Sequence, residues 1–188
     1  MAITIQSETN KKLDQAELRR FAARAMKLIG MKGDVAILIT NDRRMKELNR
    51  WYRHKNYATD VLSFPGTPTH GHAGDVAISA EIATKNAASL RHSLVVELKV
   101  LILHGLLHLS GYDHESDTGE MAGLEDHLRF RLKLPTALIS RTLGHRNGKK
   151  AGTSRKPDRM VKARAAVSVP RSAVKKKQTS RGRSATRK

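Results

Sequence analysis

Apolar residues recur at helical spacing between Asp14 and Ile29, where Leu18, Phe21, Ala22, Ala25, Met26 and Ile29 form one stripe followed by Gly30 and Gly33. Ahead of it, Ile3-Thr-Ile-Gln alternates as a short strand does, and behind it Val35 to Thr40 is a continuous apolar run that predicts a strand. Asn41 is placed to cap a helix from Asp42 to about Arg53 with Met45 and Leu48 facing inward. Asp60 to Phe64 and Asp75 to Ser79 read as two further strands, separated by a Gly/Pro/Thr/His loop over 66–73. Helices are predicted from Glu81 to about Leu90, from Leu94 to Leu109, and from about Thr118 to Leu132 with Pro135 closing the last. There are no internal repeats. The pattern predicts an α+β fold: a small mixed sheet of about four strands packed with helices, with the apolar segment Leu94–Leu109 buried centrally. Strand order is not readable from it.

Charge divides the chain in two. Of the formal net charge of +19, residues 145–188 carry +15, with 16 Lys/Arg against the single acid Asp158, and residues 1–144 carry +4. The tail is rich in Gly, Ser, Thr and Pro and contains no aromatic residue, so it is expected to be disordered. The expected organisation is a folded domain over 1–144 and a basic tail over 145–188. Such a tail attracts polyanions by counterion release, and nucleic acid is the expected partner. The absence of cysteine excludes disulfides and thiolate metal sites. The N-terminal residues lack the pattern of a signal peptide, and the longest apolar run, Val100 to Leu109, is too short to span a bilayer. No membrane association and a cytoplasmic location are therefore expected.

The chemistry concentrates in His104-Gly-Leu-Leu-His108-Leu-Ser-Gly111-Tyr-Asp-His114. On a helix, His104 and His108 project from one face a turn apart. Gly111 can adopt the left-handed conformation that ends a helix, and the reversal would bring His114 back to the same point. Three neutral imidazoles make an open transition-metal site with a position left for water, and imidazole ligands do not distinguish zinc from nickel or another borderline metal. The spacing is that of the zincin pattern H-E-x-x-H-x-x-G-x-x-H, so the metal helix is zincin-like. Gly105, however, stands where the peptidase glutamate would be.

The histidine motif, including Tyr112 and Asp113, resembles the signature of the YbeY family, bacterial endoribonucleases of ribosomal RNA maturation. Leu48-Asn49 to Tyr52-Arg53 with Thr59-Asp60-Val61-Leu62-Ser63-Phe64-Pro65 resembles a second family block, and Gly74-Asp75-Val76-Ala77-Ile78 a third. Glu120-Met121 and Glu125 fit the helix after the motif. The resemblance spans roughly residues 35–130 and leaves the basic tail outside. It implies a zinc-dependent, single-strand-specific endoribonuclease. Its implied role is 3′-end maturation of small-subunit rRNA and ribosome quality control, with pre-rRNA and the small ribosomal subunit as partners.

The residues then take provisional roles. His104, His108 and His114 are the predicted metal ligands, and His114 and Arg53 the predicted catalytic residues. The guanidinium of Arg53 matches a phosphate, and its position matches an arginine that the family places near its active site. With glycine at 105, a base must come from the metal's own water, from Asp113 or Glu115, or from the RNA 2′-OH. Asp113 is read as orienting a ligand imidazole, Glu115 as a helix-cap acid, and Asp60 and Asp75 as turn or capping residues. His70 and His72 are read as solvated loop histidines rather than a second metal pair. Arg50, Arg53, His54 and Lys55 form a basic patch interleaved with Trp51, Tyr52 and Tyr57, which suits stacking on unpaired bases. Of the aromatics, Trp51 or Tyr52 is expected to be buried. Two other functions fit parts of this pattern: a zincin-type metallopeptidase, and a non-catalytic rRNA-binding assembly factor.

Overall fold

The computed structural model of the chain describes residues 2–67, 71–113 and 117–135. His70, His114, Glu115 and the tail 145–188 lie outside the described residues. The elements run β1 (Ile3–Ser7), α1 (Gln15–Ile29), β2 (Asp34–Thr40), α2 (Asp42–Arg53), β3 (Val61–Pro65), β4 (His72–Ser79), α3 (Ala80–Ser89), α4 (Leu94–Leu109) and α5 (Glu120–Leu132). Local chemistry starts most of the helices. The side chains of Asp14, Asn41, Ser79 and Ser93 accept from the backbone N–H three residues on, at Glu17, Arg44, Ile82 and Val96. Gly119, at φ 110°, offers no side chain to cap α5, so the Asp117 carboxylate does it, accepting from Gly119 N–H and Met121 N–H at 2.9 Å each.

The four strands form one mixed sheet in the order β1-β2-β4-β3, with β3 antiparallel to β4 and the other pairs parallel. Alternation along the strands sends two sets of side chains to opposite faces. On one face Val35, Ile37, Ile39, Val76 and Ile78 join α1, α3, α4 and α5 in the main core. On the other, Leu62 and Ala77 meet Met45 of α2, with Leu38, Leu48 and Phe64 half-buried around them. Helix α4 is enclosed, its residues Val100 to Leu107 all buried, which is why its apolar residues follow no single stripe. Among the described residues no single helix is long and apolar enough to cross a membrane. Helices α3 and α4 pass that test only as a pair bent by 114°.

Two expectations need correction. The segment read as a loop to residue 73 is shorter, because β4 begins at His72, which pairs with Asp34 of β2. A register shift follows at Asp34/Val35, beside Gly74 at φ 145°, and this irregularity hides the strand start from a period-two reading. Neither Trp51 nor Tyr52 is buried: they are 60% and 41% exposed. Met45 and Asn49 already fill the inward side of α2, leaving Tyr52 to pack edge-on against Phe64 and Trp51 to face solvent.

Candidate metal centre

His104 sits on the core side of α4 at 6% exposure, and His108 one turn later is half-buried. Their Nε2 atoms are 3.1 Å apart, with ring centroids 4.7 Å apart and the planes at 80°. The orientation of His104 is fixed from behind. Its Nδ1 lies 3.0 Å from Oε2 of Glu125, a fully buried carboxylate on α5. The Nδ1–H therefore donates to the carboxylate, and the Nε2 lone pair is turned toward His108. Glu125 is itself held by Arg129, whose Nε and Nη2 donate to Oε1 at 2.8 and 2.5 Å, while Nη1 donates to Pro135 O at 2.8 Å. Arg129 is only 2% exposed. A buried carboxylate needs such pairing, since alone it would be strongly destabilising.

This carboxylate–imidazole arrangement is the one that orients metal-binding histidines, and two facing ring nitrogens suit a borderline ion such as zinc. The residues present fit such an ion. Among the described residues, no group of three or more His, Asp or Glu side chains is arranged to hold one, and His114 lies outside those residues. Gly111, at φ 94°, does end the helix in the left-handed conformation that a reversal toward His114 requires. The carboxylate that orients His104 is that of Glu125. The sequence carried a signal for this pair: Glu125 and Arg129 stand at i, i+4 spacing within the inward stripe Met121, Leu128, Leu132.

Gly105 lies against the sheet. A Cβ there would come 2.7 Å from Val76 Cγ1 and 3.3 Å from Ser63 Oγ. Ser63 Oγ donates to the Gly105 carbonyl at 3.1 Å, tying β3 to the middle of α4. Any larger side chain here, a peptidase glutamate included, would have to displace Val76 of β4.

The other candidates are spread over the fold. Arg53 is exposed at the last residue of α2, ahead of the segment 54–60 that leads into β3. It is followed by His54 in the left-handed conformation. Buried Asn49 donates to Tyr57 O at 2.8 Å and holds the segment after Arg53 in place. Asp60 accepts from Thr59 Oγ1 and Val61 N–H, as a turn residue does. Asp75 lies within β4 rather than at its start, 3.1 Å from His72 Nε2. Burial raises the Asp75 carboxyl above its ordinary value, and His72 partly opposes that shift.

Comparison with known proteins bears directly on this geometry. The family model described as Endoribonuclease YbeY matches residues 3–133. The Endoribonuclease YbeY of Koribacter versatilis is 52% identical over 130 residues, covering 69% of this chain and 85% of that protein. The Solibacter usitatus protein of the same name is 46% identical over 130 residues, covering 69% and 86%. A Thermotoga maritima protein of known solution structure shares the fold at 23% identity and a TM-score of 0.52, covering 81% of this chain and 99% of its own. With the family model spanning both the histidine helix and the carboxylate that steadies it, the chain belongs to the YbeY endoribonuclease family.

Proposed function

We propose that the chain is a metal-dependent endoribonuclease that cuts single-stranded RNA. We further propose that it acts on the 3′ end of small-subunit rRNA precursors, in maturation and quality control of the small ribosomal subunit. The observation that carries the reading is the pair of facing imidazoles with Glu125 behind one of them, in a chain of this family. His104 and His108, joined by His114, would hold one divalent ion, with zinc the proposed species. Bound there by neutral ligands, such an ion would supply Lewis-acid chemistry, activating water and polarising a phosphoryl oxygen.

The chain's own residues supply the rest. Glu125 keeps the His104 ring in one tautomer and one orientation, so its Nε2 is set before substrate arrives. Arg53 would bind a non-bridging phosphate oxygen through its permanently charged fork and stabilise charge that develops there. The tight seat of Gly105 on Val76 favours nuclease over peptidase chemistry, because position 105 carries no glutamate base and one there would have to displace Val76.

The test is cleavage of labelled single-stranded RNA by the purified protein before and after chelation, with casein as the contrasting substrate. RNA should be cut, chelation should stop it, and zinc should restore it. Replacing Arg53 with Glu should lower cleavage about a hundredfold or more at unchanged zinc content. Casein cleavage without RNA cleavage would overturn the assignment.

A further inference from the structure

We infer that the solvent face of α2 is a docking track for single-stranded RNA, with Trp51 as its stacking platform; this rests on RNA being the substrate. Arg43, Lys46 and Arg50 recur at spacings of three and four, so they line one exposed side of α2. Glu47, the only acid on that side, is already ion-paired with Arg43 at 3.5 Å and Arg44 at 3.2 Å. Among the described residues, Lys46 and Arg50 make no ion pair. Trp51 is 60% exposed, and the Arg44 guanidinium lies 5.7 Å from its ring centroid.

The chemistry of this face selects its occupant. A row of cations with a largely exposed indole nearby suits a ligand that offers both negative charge and flat rings. Unpaired nucleotides offer both; a folded protein or an acyl chain would need more apolar surface. Arg43 and Arg50 are about 10 Å apart along the axis, close to three stacked nucleotides of one strand. The face lies across the sheet from His104 and His108, with edge strand β3 and residues 54–60 between. It would therefore hold RNA away from the bond being cut.

Trp51 is the only tryptophan of the chain, so its emission reports this face alone, whereas bulk affinity also reports the basic tail. The full-length protein, kept in chelator, is titrated with a short oligouridylate, with inorganic polyphosphate, and with vesicles containing phosphatidylserine. Saturable quenching by the oligouridylate and not by polyphosphate is expected. Joint replacement Arg43→Glu, Lys46→Glu and Arg50→Glu, all on the surface, should raise the quenching midpoint about tenfold. The inference is overturned if labelled oligouridylate binds without changing the emission, if polyphosphate quenches equally, or if only the vesicles alter it. Cleavage of the same RNA with zinc is measured separately. Quenching without cleavage removes the proposed activity and keeps the track; cleavage without quenching does the reverse.

Discussion

Position 105 shows how much one hydrogen atom can decide. Gly105→Ala would gain about 1 kcal/mol in helix propensity, yet its methyl must displace Val76, an overpacking cost of about 1–3 kcal/mol. Net destabilisation in urea unfolding is expected, relieved when Val76→Ala is added. A lone Gly105→Ala that raises stability would show that α4 is free to lift off the sheet. The carboxylate behind His104 makes a different prediction. Glu125→Gln removes a charge-assisted bond to His104, and zinc affinity measured by chelator competition should fall about 10- to 100-fold. Glu125→Ala should also cost about 3–5 kcal/mol in stability, because Arg129 is left buried without its carboxylate. Unchanged zinc affinity in Glu125→Gln would remove Glu125 from the site.

Whole helices and strands were legible to different depths. Each helix start with a side-chain cap, and each strand with uninterrupted alternation, could be placed from residues alone, as with Asp14 for α1 and Asn41 for α2. The pair His104 and His108 was equally plain, since helical spacing alone puts them on one face. The rest depends on contacts between distant segments. The order β1-β2-β4-β3, the irregular start of β4, the exposure of Trp51 and the Glu125–His104 contact are set by what packs on what. Strand β4 also carries a pH dependence. The Asp75 carboxyl is raised by burial, so the folded state holds its proton more tightly than the unfolded state does. Its contribution is present in full below the unfolded pKa and is lost as pH rises through the folded one. Asp75→Asn should therefore be more stable than the wild type at pH 7.5, with the gap closing by about pH 3. The same gap in urea midpoints at both pH values would refute this.

Charge is uneven along the whole sequence, +4 over residues 1–144 against +15 over residues 145–188. A chain lacking residues 146–188 should bind single-stranded RNA more weakly at low salt and show a shallower slope of log affinity against log salt. Its zinc content should not change; equal slopes would separate the tail from RNA binding. Where such a chain may safely be cut follows from Arg129. A string of polar contacts runs from the Pro135 carbonyl through that guanidinium and the Glu125 carboxylate to the imidazole of His104. Pruning that stops downstream of the proline keeps the acceptor that Arg129 uses. Pruning that takes the proline removes an acceptor from a buried cation and loosens the site from its far end.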